Sequence, residues 1–220
     1  MKSKIIKLIH ARLYPERCPF CLKTIKPGEY LCRDCEKQIP STYSMNYAVG
    51  GYPCCSPFFY QGIFKNAIKN IKFKSNRSIV KKLVLPLAEC IEKAYDLDEI
   101  EIITYVPMHK KDQKERGFNQ SELLAKGVSK LLGIPCRTLL EKHKENKRQH
   151  ECPTRAQRRN NVKNVYRICD NENIKGKTIL IIDDILTTGI TLGECAYTLE
   201  RFTHSKILCA TFCARNNLNE

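Results

Sequence analysis

Apolar and polar positions along the chain follow two periods, and the elements can be read from where one gives way to the other. Thr178 to Ile182 (T-I-L-I-I) is a continuous apolar, β-branched run after the turn-like Lys175-Gly176-Lys177, the pattern of a central parallel strand buried on both faces. Leu192 to Phe202 repeats apolar residues at Leu192, Cys195, Ala196, Leu199 and Phe202, which is helical spacing. Upstream, Ile63 to Phe73 turns Ile63, Ala67, Ile68 and Ile71 one way and Lys65, Lys69 and Lys72 the other, and a second helix is expected from about Ser78 to Ala94. Ile100 to Val106 reads as a strand ending at Pro107-Met108-His109, and Gln120 to Leu132 as a helix stopped by Gly133-Ile134-Pro135. Cys136 to Leu140 and Ile207 to Phe212 supply further strands. Strands alternating with helices predict an α/β chain with a parallel sheet.

The chemistry concentrates between the Thr178 strand and the Leu192 helix. Asp183 and Asp184 stand where the strand should end, and Thr187-Thr188-Gly189-Ile190-Thr191 follows as a small, hydroxyl-rich loop. A loop opening a helix at the carboxyl edge of such a sheet offers backbone N–H groups and the positive end of the helix dipole to a phosphate. The aspartates would repel a phosphate set beside them, so the layout suits a ligand with a phosphate at one end and vicinal hydroxyls or Mg²⁺ at the other. Ribose 5-phosphate has that layout. A Walker loop is excluded, because no Gly-Lys-Ser/Thr is present.

This stretch resembles the signature of the type I phosphoribosyltransferases: four apolar residues, two acids and T-T-G-x-T. The resemblance implies that Thr187, Thr188, Gly189, Ile190 and Thr191 hold the 5-phosphate of phosphoribosyl pyrophosphate (PRPP), with Asp183 and Asp184 on the ribose and Mg²⁺ accompanying the ligand. Past the Ile100 strand, His109 lies at the presumed site, and backbone amides of a loop aided by Lys110, Lys111, Lys114 and Arg116 could hold pyrophosphate. Residues 142–159 fit the mobile hood loop of related enzymes, with Lys147, Arg148 and Gln149 as pyrophosphate contacts. The candidate catalytic side chains are Asp183, Asp184, Arg116 and Arg148.

The amino end carries different chemistry. Cys18-Pro19-Phe20-Cys21 and Cys32-Arg33-Asp34-Cys35 are two Cys-x-x-Cys pairs ten residues apart, the ligand set of a closed structural zinc site. Gly50 to Pro57 reads as a linker, which divides the chain into an amino-terminal unit (1–50) and a main domain (56–216). Cys54 and Cys55, being adjacent, are left out of the zinc assignment. With thirteen cysteines and no apolar signal-peptide core, since Lys4, Lys7, His10 and Arg12 interrupt the first segment, the protein is expected in the cytoplasm. The apolar stripe Ile5, Ile6, Leu8, Ile9, Leu13 and Tyr14 either packs on the protein or lies on a partner or the inner face of the membrane.

Charge suggests a polyanionic partner or else serves solubility. The formal net charge is +15, and a hydrophobic content of 42% excludes a largely disordered chain. From Gln61 to Val84 there are seven basic side chains and no acidic one, a face suited to a phosphate backbone. Phe58, Phe59, Tyr60, Phe64 and Phe73 lie nearby and could stack bases or fill the core.

The paired Cys-x-x-Cys module, the strand ending in Val-Pro, the Arg-Gly-Phe-Asn-Gln run and the late I-I-D-D-I-L-T-T-G-I-T are together similar to the ComF family. That resemblance implies a phosphoribosyltransferase-like parallel sheet with flanking helices plus a small zinc module. For competence members it implies the handling of incoming single-stranded DNA in the cytoplasm, with other competence proteins as partners. The alternative is a metabolic transferase that moves phosphoribosyl from PRPP to a nucleobase or amine.

Overall fold

The computed structural model describes residues 16–26, 28–40, 43–74, 77–144, 154, 164–170 and 172–215, without the side chains of 71–79 and 81. The amino-terminal apolar stripe, and Lys147, Arg148 and Gln149 of the expected hood loop, lie outside the described residues. In chain order the elements are α1 (Arg33–Glu36), β1 (Ser44–Tyr47), β2 (Pro53–Ser56), β3 (Phe58–Phe59), α2 (Gly62–Lys74), α3 (Arg77–Ala94), β4 (Ile102–Tyr105), α4 (Lys110–Arg116), α5 (Gln120–Leu132), β5 (Leu140–Lys142), β6 (Tyr166–Ile168), β7 (Thr178–Leu186), α6 (Ile190–Thr203) and β8 (Lys206–Ala214).

Six strands form the main sheet in the order β1-β2-β8-β7-β4, with β3 also pairing β8. β7 is central and parallel to both neighbours, in register with β4 from Ile102↔Ile179 to Tyr105↔Ile182 and with β8 from Thr178↔Lys206 to Leu186↔Ala214. Its side chains alternate between two cores, as strand geometry requires. Leu180 and Ile182 face α2, α3 and α5, through residues such as Phe64, Leu83 and Leu124, whereas Ile179 and Ile181 face α6 and the β5–β6 ribbon, through Leu192, Leu199 and Leu140. α3 and α5 pack closely at Gly127, where a Cβ would lie 2.4 Å from a methyl of Val84.

The chain leaves β4 through α4 and α5 on one face and leaves β7 through α6 on the other. The crevice between the carboxyl ends of β4 and β7 is therefore a topological switch point, the usual ligand position in open α/β sheets. Among the described residues no helix is long and apolar enough to cross a membrane.

The observed elements differ from the sequence expectation in four places. Gly50 to Pro57 is no linker: Gly50 and Gly51 (φ 101° and 86°) turn the antiparallel β1–β2 hairpin, and β2 joins the sheet through Cys54↔Cys209 and Cys55↔Ala210. Cys54 and Cys55 are fully buried, one in each core, and burial pushes the Cys54 thiol up to about 12, so they act as small hydrophobes. Cys136 makes only an isolated bridge to Ile103, while Leu140–Lys142 pairs antiparallel with β6 in a separate ribbon. The segment after Met108 is a helix rather than a loop of free amides, because the His109 ring accepts the Lys111 N–H at its start and Gly117 (φ 82°) ends it. Finally, β7 runs past the two acids to Leu186, since the long β8 continues to pair with it.

Candidate functional site

Asp183 and Asp184 come immediately after the last β4–β7 pair, where the N–H of Val106 donates to the carbonyl of Ile182 at 3.0 Å. On that side of β7 the amino end of α5 takes the place of a strand. Asn119 staples it there: its amide donates to the carbonyl of Val106 (3.0 Å), and its carbonyl oxygen caps the helix by accepting the Ser121 N–H (3.0 Å). Gln120 then donates to Asp184 Oδ2 at 2.9 Å, and the Ser121 hydroxyl donates to Asp183 Oδ1 at 2.7 Å. Asp183 Oδ1 also accepts the N–H of Asp184 at 2.8 Å.

Asp184 is only 6% exposed, so its carboxylate depends on such donors to remain in the protein. Charge-assisted bonds of this kind orient both acids before any ligand arrives. Arg116, expected at a pyrophosphate, donates from Nη1 to Gln120 Oε1 at 2.9 Å. It thereby fixes Gln120, the donor to Asp184. Asn119, Gln120 and Ser121 carry site roles that the sequence reading did not assign.

The loop between β7 and α6 holds Thr187 exposed, Thr188 and Thr191 half-buried, and Gly189 and Ile190 buried. Ile190 can offer a ligand only its backbone. Gly189 sits at φ 69° as the N-cap of α6 and contributes no side chain over the helix's first turn. A hairpin turn braces the loop: Val49 N–H donates to the Gly189 carbonyl at 3.1 Å, and a Cβ on Gly189 would come within 3.0 Å of Ala48 Cα. One turn later, a Cβ on Gly193 would lie 2.2 Å from the Val49 carbonyl oxygen. Both glycines are required by close backbone approach.

The site thus has two carboxylates that accept from Gln120, Ser121 and the Asp184 N–H and, a few residues on, a hydroxyl-rich helix start that attracts anions. That donor set fits a ligand carrying a phosphate and a diol, with the carboxylates accepting from hydroxyls or holding a divalent cation. Lys110 is exposed at the start of α4 and His109 is half-buried just before it, both beyond the carboxyl end of β4. The ring nitrogen of His109 that faces the helix is engaged as its cap.

The second cluster is the cysteine quartet. The Sγ atoms of Cys18, Cys21, Cys32 and Cys35 lie within 4.8 Å of one another, and Cys21 and Cys32 are 3.6 Å apart. Tetrahedral zinc–sulfur bonds of about 2.3 Å set sulfurs about 3.8 Å apart, so the quartet fits zinc. Turns at both knuckles place the thiols, with Leu22 N–H bonded to the Cys18 carbonyl and Cys35 N–H to that of Cys32, each at 3.0 Å. Burial pushes the Cys35 thiol up, whereas at Cys18 the N–H groups of Cys32, Cys21 and Phe20 overcome burial and draw the thiol down to about 7. A central dication allows all four to ionise.

This module is seated on the main sheet's core. Phe20 meets Phe58 and Phe64 edge-on at 6.1 and 5.3 Å, and Phe58 stacks on Phe64 at 4.0 Å. These aromatics are core residues and present no faces to bases. Lys82 of α3 reaches the module as well, bonding Glu16 at 2.8 Å and the Glu29 carbonyl at 3.0 Å, so that one cation of the 61–84 run is a structural clamp. Lys65 and Lys69 of the same run are exposed.

Residues 119–220 match the phosphoribosyl transferase domain family, and residues 9–50 match the double zinc ribbon domain. Competence protein F of Haemophilus influenzae is 27% identical over 199 residues, spanning 84% of each chain. Competence protein ComFC of Bacillus subtilis is 25% identical over 182 residues, 81% of this chain and 69% of that one. The DNA utilization protein YhgH of Escherichia coli K12 is 26% identical over 185 residues, 84% of this chain and 78% of its own. Fold and sites together define a phosphoribosyltransferase-type α/β protein with an amino-terminal zinc ribbon. Within that class the chain is similar over most of its length to competence proteins of the ComF type and to DNA utilization proteins.

Proposed function

We propose that this chain binds PRPP at the β4–β7 crevice and handles single-stranded DNA in the cytoplasm during natural competence. The carrying observation is the oriented pair Asp183 and Asp184 beside the braced Thr187–Thr191 loop. The threonine hydroxyls and the first-turn N–H groups of α6 donate to the 5-phosphate, and the two carboxylates accept from the ribose hydroxyls. Mg²⁺, when bound with PRPP near the aspartates, neutralises part of the pyrophosphate charge. Lys110, at the start of α4, adds a cation to the surroundings of that group. The DNA part of the reading is supported by relatives named for competence and DNA utilization and by the net charge of +15.

The test is binding of a labelled single strand near physiological salt, with and without PRPP and Mg²⁺. Tight, salt-dependent binding that responds to PRPP is expected. A chain that binds PRPP but no DNA, and releases pyrophosphate with one particular base or amine, would instead be a metabolic transferase.

A further inference from the structure

On the face of the sheet opposite the zinc ribbon, a cleft of roughly 730 Å³ lies between the β5–β6 ribbon and the outer surface of α6. Its size is within the ~300–1,000 Å³ of sites that enclose a drug-sized ligand. It is a different concavity from the acidic crevice and is lined by no residue of it. Cations outnumber carboxylates along its wall. Lys144, Arg167, Lys175 and Arg201 face a single carboxylate, Glu194, which accepts the Asn164 N–H at 2.8 Å. Arg167 is paired with Glu141, whereas Lys144, Lys175 and Arg201 have no carboxylate partner among the described residues.

The α6 wall also exposes two large aromatic side chains, Tyr197 at 50% and Phe202 at 61%. At about 100° per residue, Glu194, Thr198 and Arg201 form the centre of the stripe, and the two aromatics stand on its two shoulders. They are five positions apart, about 7.5 Å along the helix at 1.5 Å each. The Arg201 guanidinium lies over the Phe202 ring, 5.6 Å from its centre. Such a cation–ring pair leaves one hydrophobic plate with a fixed positive charge beside it.

Aromatic plates interleaved with unpaired cations are what a single strand of nucleic acid requires, since bases stack on the rings while phosphates meet the charges. A duplex hides its base faces and could not use the rings. A second copy of this chain fits poorly, because a twofold contact sets each patch against its own like and would bring together two surfaces of the same positive sign. We propose that the cleft between α6 and the β5–β6 ribbon binds single-stranded DNA, with Tyr197 and Phe202 stacking bases and Lys144, Lys175 and Arg201 holding phosphates. This rests on the DNA-handling role proposed above and locates it away from the 61–84 face.

The experiment is fluorescence anisotropy of a labelled oligothymidine titrated with the full chain over a salt series. Four proteins are compared: wild type, Tyr197→Ala/Phe202→Ala, Lys175→Glu/Arg201→Glu and Tyr197→Phe. Losing a stacked base weakens binding by roughly 5- to 160-fold, so the aromatic double variant should lose at least about tenfold while Tyr197→Phe stays near wild type. The charge-reversed variant should bind more weakly and show a shallower salt slope. Zinc content and PRPP titration should be unaltered in all four, which shows that the fold is intact. Wild-type affinity in both double variants would overturn the cleft assignment and leave DNA handling standing with another surface. No binding by the wild type would remove this assignment and the DNA-handling part of the proposed function, leaving PRPP binding to be judged separately. A change in mass by light scattering in the aromatic variant, with DNA affinity retained, would overturn the assignment in favour of a contact between copies.

Discussion

Asp184 shows how much the acidic pair depends on the residues around it. A carboxylate 6% exposed tolerates its position because Gln120 donates to it, and Gln120 is in turn fixed by Arg116. Replacing Gln120 by Leu removes a hydrogen bond to a charged group, a loss of about 1.5–3 kcal/mol. It should lower the thermal midpoint and weaken PRPP in calorimetric titration; unchanged values for both would show that Gln120 does not support Asp184. The double substitution Asp183→Asn/Asp184→Asn should abolish PRPP binding with the domain still folded, and retained affinity in the same titration would remove the ribose assignment. Gly193 has a different duty. Its missing Cβ makes room for the Val49 carbonyl, and Gly193→Ala should cost about 1–3 kcal/mol by overpacking, measured by urea unfolding. The acids, the threonines and the four zinc ligands could be named from local spacing. Gln120 and Ser121 could not be assigned to the acids, because their partners lie 64 and 62 residues away in the chain and only the end of β4 brings α5 to them.

At the level of elements, the long periodic helices α2, α3, α5 and α6 fall within a residue or two of where the pattern puts them, since an amphipathic stripe repeats often enough to be read. The β1–β2 hairpin escaped notice because a four-residue strand rich in proline and cysteine has no such repeat and its burial comes from β8, more than 150 residues later. The zinc ribbon joins both kinds of information: its ligands are local, and its seat on Phe58 and Phe64 is not. Cys32→Ser should release zinc and loosen residues 16–40, seen as lost metal stoichiometry and early proteolysis there; a purified wild-type chain without stoichiometric zinc would refute the site. Acid should have the same effect, because protons compete for thiolate ligands. The Glu16–Lys82 clamp follows the carboxyl sign. Lys82 holds the Glu16 carboxyl below its ordinary 4.5, so the clamp's contribution is present above that value and is lost as pH falls through the lowered one. Zinc release, followed with a chelating dye, should therefore begin at a higher pH than failure of the clamp.

Across the whole molecule, α6 is the element shared by two surfaces. Its first turn follows the Thr187–Thr191 loop, with Gly189 as its N-cap, and its outer face, from Glu194 to Thr203, walls the cationic cleft. Fourteen residues of helix span about 21 Å, and the Val49 contacts at Gly189 and Gly193 fix the helix at its loop end. A ligand that orders the loop thus acts on the helix that carries Tyr197 and Phe202. Linkage requires the effect to be mutual: if PRPP tightens DNA by some factor, DNA must tighten PRPP by the same factor. We expect that factor to be at least about fivefold, the lower end of ordinary coupling between sites. It is measured by titrating DNA at saturating PRPP and then PRPP at saturating DNA. Gly193→Ala, which disturbs the seat of the helix without touching either ligand, should bring the factor toward one. Equal affinities with and without the second ligand in the wild type would mean that α6 separates the two sites instead of joining them. The zinc ribbon, packed against the opposite core, should leave the factor unchanged when Cys32 is replaced.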